Sequence, residues 1–234
     1  MCGRYRLSRR KQLIAEYFNI DNEVDWEPRY NIAPSQPVGI IRQDPSRLER
    51  HFSLARWGLI PSWATDASIG FKTINARSET VASKPAFHDA FTSRRCLLPA
   101  DGFFEWRRSG KEKQPFHFGM HDDSLFAFAR LWDRWRDQAG AVIESCSILT
   151  TTPNSLLADI HDRMPVILRQ ENYDLWLDPG FKDVTAHAEV LVPFDAAQIR
   201  RFPVGTRINA VMNDDPDCVL PTHSSLPAQS ALFG

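Results

Sequence analysis

Apolar residues recur with helical spacing near the start of the chain. Within residues 8–20, Leu13, Ile14, Tyr17 and Phe18 fall on one side of a helix with 3.6 residues per turn. Ser8 stands where a helix N-cap is needed, because a serine hydroxyl can accept a hydrogen bond from a free backbone N–H of the first turn. The pattern predicts an amphipathic helix over residues 8–20.

Much of the remaining chain has the pattern of short strands. Segments rich in β-branched and aromatic residues are VGIIR, RHFSLARWG, RRCLLPA, DGFFEWRR and VIESCSILTT. The polar segment RRSGKEKQ, at residues 107–114, separates two strand patterns and predicts a hairpin. Residues 28–38 contain three prolines and predict an irregular but ordered segment. Further helices are predicted at residues 78–83, 85–92, 154–160, 170–177 and 184–192.

The order of these elements indicates the fold class. Strands and helices mix without the regular alternation that builds a parallel sheet. We therefore predict an α+β fold, a single compact domain whose mostly antiparallel sheet is flanked by helices. Residues 214–234 are polar and interrupted by prolines, so we predict a loosely ordered C-terminal tail there.

Composition excludes several classes of protein. The hydrophobic fraction of 43% and the charged fraction of 24% are typical of folded globular chains. No apolar run approaches the roughly 20 residues that span a bilayer, and the start of the chain lacks the apolar stretch of a secretory signal, so we expect a cytoplasmic protein. Cys2, Cys96, Cys146 and Cys218 have no CxxC spacing and predict neither a zinc site nor a disulfide framework. No metal or cofactor is expected.

Charge is distributed unevenly along the chain. Residues 1–113 carry 19 Lys and Arg against 13 Asp and Glu, although the whole chain has a net charge of −1. An excess of arginine is suited to a phosphate backbone, because guanidinium binds phosphate bidentately. A solvated surface with chance clustering explains the same excess, so charge alone leaves nucleic-acid binding open.

The opening MCGRY places a cysteine directly behind the initiator methionine. Because methionine is generally removed before a small residue, we expect a mature chain that begins with the free amine of Cys2. The amine titrates near pH ~7.7 to 8.0 and the thiol near ~8.5, so we expect both to be nucleophilic near neutrality. Such an aminothiol condenses with an aldehyde to a Schiff base and then to a thiazolidine. Attack on an acyl carbon and a passive terminal cysteine are the alternatives.

Three further polar residues are candidates for chemistry. GFFEW places Glu105 among aromatic residues, where burial would raise the carboxyl pKa and suit proton transfer, unless the side chain faces outward from its strand. IHDRMPVIL places His161 between apolar segments, as an acid or base or as a structural partner of Asp162. INARSET supplies Asn75, as a site residue or as a turn or helix cap, with Arg77 two positions later.

Six segments, taken together and in order, resemble one family. MCGRY, PRYNIAPSQ, WGLIPSW, INARSET, RRCLLPADGFFEW and IHDRMPVIL are similar to motifs of the SRAP family, the SOS-response-associated abasic-site processing proteins. The resemblance covers residues 1–213 and implies one domain with a β-barrel-like core and a positive groove for single-stranded DNA. In that family the N-terminal cysteine bonds covalently to the aldehyde of an abasic deoxyribose. Phe104 departs from the tyrosine that is frequent in the family, so a role for that hydroxyl is absent.

The resemblance also assigns roles to residues. Cys2 looks like the crosslinking nucleophile, with Asn75, Glu105 and His161 as catalytic neighbours. Glu105 would shuttle protons, Asn75 would orient the amine or the sugar, and His161 would assist ring opening and reversal. Expected DNA contacts are Arg4, Arg77 and Arg163 for phosphates, with Trp63 and Trp106 beside the groove; most of the seven tryptophans are otherwise expected in the core.

The implied partner is single-stranded DNA that contains abasic sites, bound by a monomer that has no membrane attachment and is nucleoid-associated on DNA. The implied activity is crosslinking, with lyase-like and autopeptidase activity beside it. Replication-fork proteins as further partners are left open. Two alternatives remain: an amidotransferase of class II, whose chains also begin Met-Cys-Gly, and a module that grips single-stranded DNA without covalent chemistry.

Overall fold

The computed structural model describes residues 2–44, 46 and 49–222. Within these residues the strands, in chain order, are β1 (Tyr5–Leu7), β2 (Arg29–Ile32), β3 (Pro37–Gln43), β4 (Arg50–Trp57), β5 (Asn75–Arg77), β6 (Arg95–Ala100), β7 (Gly102–Ser109), β8 (Glu112–Met120), β9 (Phe126–Arg136), β10 (Val142–Thr151), β11 (Met164–Pro165), β12 (Ile167–Leu168) and β13 (Ile199–Pro203). The helices are α1 (Lys11–Phe18), α2 (His88–Ser93), α3 (Tyr173–Leu177) and α4 (Val184–Glu189), with 3₁₀ helices at Ala67–Phe71, Gln170–Asn172, Ala196–Gln198, Thr206–Asn209 and Pro216–Val219. None of the helices in the described ranges has the length and apolar character needed to cross a bilayer.

Five strands close into a barrel. β3 pairs antiparallel with β4 and with β6, and β9 pairs antiparallel with β6 and with β10. A parallel contact between β10 and β4, in register at Cys146 and Trp57, completes the ring. All six residues of β6 are buried, because both faces of this strand are covered. The predicted α+β class with one compact, barrel-like core is therefore confirmed.

A second sheet, antiparallel throughout, packs beside the barrel in the order β13-β8-β7-β1-β2. β6 passes into β7 through the buried Asp101, whose carboxylate accepts hydrogen bonds from the backbone N–H of Ser8 at 3.1 Å and from its hydroxyl at 2.6 Å. The ring of Tyr5 in β1 lies edge-on to Trp57 of the barrel, with 5.6 Å between ring centroids. These contacts fix the start of the chain between the two sheets.

Several predicted helices are shorter than expected or absent. α1 begins at Lys11 and ends at Phe18, because the Ser8 hydroxyl donates to Asp101 and does not cap the helix. Residues 78–83 and 155–160 form turns, and the turn after Asn154 is closed by its side-chain oxygen, which accepts from the N–H groups of Leu156 and Leu157 at 3.1 Å. Residues 28–38, predicted to be irregular, contain β2 and the start of β3.

The first part of the predicted tail is packed against the domain. The carboxylate of Asp214 accepts hydrogen bonds from the N–H groups of Tyr30 at 2.5 Å and Asn31 at 2.8 Å, and Cys218 is buried. Over residues 214–222 the prediction of a loose tail is therefore wrong, because a single aspartate anchors the segment to β2. Residues 223–234, the rest of the predicted tail, lie outside the described residues.

Candidate active site

Asn75 holds the start of the chain through the backbone of Cys2. Its side-chain amide donates to the Cys2 carbonyl oxygen at 3.0 Å, and Cys2 is completely buried. Parallel pairing with Ile148 of β10 fixes Asn75 in the sheet, so the alternative of a turn or helix cap is wrong. The Asn75 side-chain oxygen is buried and has no hydrogen-bond partner in the part of the chain that the structure describes. It is an acceptor directed into the interior beside Cys2.

Glu105 lies inside the molecule, beside the same segment. β7 pairs with β1 at Phe103 and Tyr5, and the N–H of Phe104 donates to the Arg4 carbonyl at 3.0 Å. Glu105 follows on β7 and is 3% exposed, so the alternative of an outward-facing residue is wrong. Burial raises the pKa of this carboxyl to about 7, against the opposing positive charge of the amino terminus. Near neutrality Glu105 can both accept and donate a proton.

The thiol of Cys2 is not ionised at neutral pH. Burial, and then the negative charge of Glu105, raise the pKa of the thiol to about 12. In the chain that carries Met1 the thiol is therefore protonated near neutrality, because removal from water disfavours the thiolate, and the expectation of a reactive thiol in a chain that begins at Cys2 stays a prediction. When this sulfur reacts, its proton must pass to a neighbouring base, and Glu105 is near enough to influence its titration.

His161 lies at a pocket of about 710 Å³, which is lined by Arg4, Glu105, Trp106, Arg108, Lys113, Asp159, Ile160, His161, Asp162 and Asn209. Burial, and then the charge of the amino terminus, lower the pKa of His161, so the ring is neutral at pH 7. Its Nδ1 lies 3.0 Å from the Arg163 backbone nitrogen and accepts that N–H when the proton of the neutral ring is on Nε2. An Asp162 carboxylate oxygen lies 2.8 Å from the same Nδ1 and favours the ring when it becomes protonated. His161 contacts Asp162 and lines the same pocket as Glu105, and its role as an acid or base stays a prediction.

The arrangement places a buried cysteine, Cys2, near two titratable groups that line one pocket. Glu105 supplies a carboxyl that exchanges its proton near pH 7, and the neutral His161 supplies a second donor and acceptor. Asn75 holds the backbone of Cys2. Such a site suits addition to an electrophilic carbon followed by proton transfers.

The family model for SOS response associated peptidase (SRAP) matches residues 1–211. The chain belongs to the SRAP family. The resemblance carried by the six motifs is confirmed, and the match extends far beyond the Met-Cys-Gly that an amidotransferase would share.

Relatives with known sequences and structures resemble this SRAP chain over most of its length. "Abasic site processing protein YoqW" of Bacillus subtilis is 43% identical over 223 residues, which cover 94% of this chain and 99% of that protein. "Abasic site processing protein HMCES" of Gallus gallus is 32% identical, over 87% of this chain and 69% of that protein. A crystal structure of a protein from Bacteroides thetaiotaomicron is similar with a TM-score of 0.86 and 30% identity, over 95% of this chain and 100% of that one.

Two arginines expected to bind phosphates in this SRAP chain are engaged internally. The Arg4 guanidinium donates to the Asn31 side-chain oxygen at 2.7 Å and to the Ile208 carbonyl at 2.5 Å. Arg163 donates to both carboxylate oxygens of Glu79, at 2.6 and 2.9 Å, and its side chain is only 11% exposed. Their DNA contacts stay predictions, and each would require the loss or rearrangement of these hydrogen bonds.

The other predicted DNA residues differ in their availability. Arg77 is exposed, and among the described residues no hydrogen bond involves its side chain. Trp63 is 56% exposed, as a base-stacking residue would be. Trp106 lines the pocket and donates from its indole N–H to the Asn209 side-chain oxygen at 2.7 Å. Trp57 and Trp176 are buried in the core, as expected for most tryptophans.

The pocket also contains residues that the sequence reasoning did not single out. Asn209 reaches it from a 3₁₀ helix more than one hundred positions away in sequence from Trp106, so no local signal marks it. Arg108 and Lys113 reach it from the β7–β8 hairpin. The sequence does contain a signal for these two residues, because the basic segment 107–114 directly follows GFFEW, the motif that contains Glu105.

Proposed function

We propose that this SRAP chain processes abasic sites in single-stranded DNA through a covalent crosslink formed by Cys2 after Met1 is removed. The observation that carries the proposal is the attachment of Cys2 to Asn75 beside Glu105, a carboxyl with a pKa of about 7. The names of the relatives from Bacillus subtilis and Gallus gallus support the substrate, and the folded site supports the chemistry.

The reaction balances with water as its only by-product. The Cys2 amine adds to the aldehyde carbon of the ring-opened deoxyribose, and loss of water gives a Schiff base. The Cys2 sulfur then adds to the same carbon, and the thiol proton is transferred so that the nitrogen ends as a neutral amine. The product is a five-membered thiazolidine that links the DNA to the first residue of the protein.

The pKa values suit these proton transfers. With a thiol pKa of about 12, sulfur addition needs a base, and the Glu105 carboxylate takes this proton. In its protonated form the same carboxyl protonates the departing hydroxyl when the Schiff base forms. Asn75 orients the nucleophile, and His161, neutral near pH 7, donates from Nε2 when the sugar opens and when the crosslink reverses.

Lyase-like and autopeptidase activities form the second part of the proposal. A Schiff base that is not captured by sulfur permits elimination of the 3′ phosphate and strand cleavage. Capture by the thiol therefore protects the strand, and lyase-like activity is expected to dominate where the thiol is absent. The autopeptidase activity is the removal of Met1, which converts the Cys2 amide nitrogen into the reactive amine.

Replacement of single cysteines tests the proposal. Intact mass is measured after incubation of the mature protein with a single-stranded oligonucleotide that contains one abasic site. The expected product has the combined mass of protein and oligonucleotide less one water, and it is absent with an undamaged oligonucleotide. After denaturation without a reductant, Cys2→Ala should give none of this product, because a Schiff base of the same mass hydrolyses under these conditions, whereas Cys218→Ala, which changes another buried cysteine, should retain it. A full yield from Cys2→Ala would reject the proposal and would indicate a different nucleophile, whereas no product from the mature wild-type protein would leave non-covalent binding.

A further inference from the structure

The hairpin between β7 and β8 places two basic side chains face to face. The strands are joined by Gly110 and Lys111, and the φ of Gly110 is 59°, a left-handed conformation that suits glycine at the first central position of a tight turn. In this register Arg108 lies directly opposite Lys113, and both side chains are exposed. Like charges that are directly opposite each other destabilise a hairpin. The repulsion between the two side chains therefore destabilises the free protein, and an anion bound between them would relieve it.

The pair also belongs to the pocket of the proposed active site. Arg108 and Lys113 line this pocket together with Glu105 and His161. The positive charge of Arg108 is one of the causes that lower the pKa of His161, which indicates that the guanidinium lies near the imidazole. The hairpin thus extends the wall of the site outward along β7.

The backbones of Arg108 and Lys113 are paired in the hairpin, but within residues 2–44, 46 and 49–222 neither side chain has a hydrogen bond or an ion pair. The acidic groups of the pocket are engaged elsewhere, since Asp159 is paired with Arg201 and Asp162 contacts His161. The two cations therefore remain available for an external anion. This contrasts with Arg4 and Arg163, whose donors are occupied within the domain.

We infer that Arg108 and Lys113 together bind a backbone phosphate of the DNA strand next to the abasic nucleotide. The inference rests on the proposed function, because it takes DNA as the ligand of this pocket. Arg108 stands three residues beyond Glu105 on the same strand, about 10 Å along β7 at the usual rise per residue. That separation places the phosphate contact beside the reacting sugar and not on it. The hairpin would therefore bind a DNA strand whose sugar-phosphate backbone runs out of the pocket along β7.

The salt dependence of binding tests this inference. Affinity for an undamaged single-stranded oligonucleotide is measured at several salt concentrations, so that the readout does not depend on crosslinking. Loss of this one phosphate contact in the double variant Arg108→Gln/Lys113→Gln should reduce the slope of log affinity against log salt by about 0.7. Lys111→Gln removes a charge from the tip of the same hairpin, outside the pocket lining, and should reduce the slope by less.

Each outcome is decisive for one of the two proposals. A double variant with the wild-type slope, or with the same slope as Lys111→Gln, overturns the hairpin contact, whatever the crosslinking result. If the slope falls as expected but the wild-type protein forms no adduct with abasic DNA, the contact stands and the proposed covalent function fails. Thermal unfolding of the double variant should occur at an unchanged or higher temperature, because a repulsive pair has been removed. A lower unfolding temperature would indicate a structural role and would count against the inference.

Discussion

Replacement of Glu105 by glutamine should slow crosslinking and stabilise the protein at the same time. The pKa of the carboxyl is about 7 in the folded chain and lies near 4.5 when burial is lost. Between these two values the folded state binds the proton more tightly than the unfolded state, so stability falls as pH rises through this window. The ionised, buried Glu105 then costs the folded state on the order of 3 kcal/mol. Glu105→Gln keeps the size of the side chain and removes this cost.

Urea unfolding of both proteins at pH 5 and pH 8 measures this effect. The stability advantage of Glu105→Gln should increase by roughly 2 to 3 kcal/mol from pH 5 to pH 8, because the wild-type carboxyl ionises over that range. The comparison of two proteins cancels the other groups that titrate in the same interval. Glu112→Gln, at the exposed tip of the hairpin, is the matched control and should show no such increase.

Glu105→Gln should also remove the proton transfer that the Glu105 carboxyl performs. Crosslinking should slow by roughly 10² to 10⁴, the usual contribution of general acid or base catalysis. In the wild-type protein the rate of the thiol step should rise with pH around a midpoint near 7, as Glu105 becomes a carboxylate, and this rise should be absent in the variant. An equal stability advantage at pH 5 and pH 8, together with a wild-type crosslinking rate, would refute both the burial argument and the role of Glu105.

Three further predictions follow from individual contacts. His161→Ala should leave an adduct that forms but persists longer, measured by release into excess competitor DNA; normal release kinetics would exclude a role for His161 in reversal. Arg4→Met should lower the unfolding temperature even without DNA, because it leaves the Asn31 side chain and the Ile208 carbonyl without this donor, and an unchanged temperature would contradict a structural role. Burial lowers the pKa of His187 to about 4, so its contribution to stability is lost as pH falls from about 6.5 towards 4. His187→Phe should therefore reduce acid destabilisation in that window in urea titrations, and a wild-type pH dependence would show that His187 is not buried neutral.

The candidate site residues could be named from the sequence because each stands in a compact local signal, and their catalytic roles stay predictions. Glu105 is surrounded by aromatic residues of one strand, and Asn75 follows an apolar residue in a short motif. The strand patterns likewise predicted the hairpin of residues 107–114 and the α+β class, since alternation within a strand is a local property. The closure of the barrel, which depends on the parallel contact between β10 and β4, had no local signal.

The electrostatic state of the site depends on contacts between distant parts of the chain. The Cys2 thiol has an ordinary pKa in an isolated peptide, and its high value arises from burial that only the folded chain provides. Arg4 finds its acceptor at Ile208 and Arg163 finds its partner at Glu79, at separations of 204 and 84 residues. Ser8 has the chemistry of a helix cap, yet its hydroxyl donates a hydrogen bond to the Asp101 carboxylate instead. In each case the state of the side chain depends on a contact with a residue that is distant in the sequence, which local sequence patterns do not reveal.

The most direct test of the crosslink compares two forms of the same chain, one verified by intact mass to begin at Cys2 and one verified to retain a residue in front of it. Both are incubated with an oligonucleotide that carries one abasic site and are then analysed under denaturing conditions. No borohydride is added, because it would reduce and so trap a Schiff base. A thiazolidine needs the free amine and the thiol of Cys2 on one carbon, so only the form that begins at Cys2 should give the stable adduct, with a mass equal to the sum of protein and DNA less one water. A full yield of stable adduct from the extended form would contradict the aminothiol mechanism, and a mass equal to the full sum of protein and DNA, with no water lost, would identify addition of the thiol to the aldehyde.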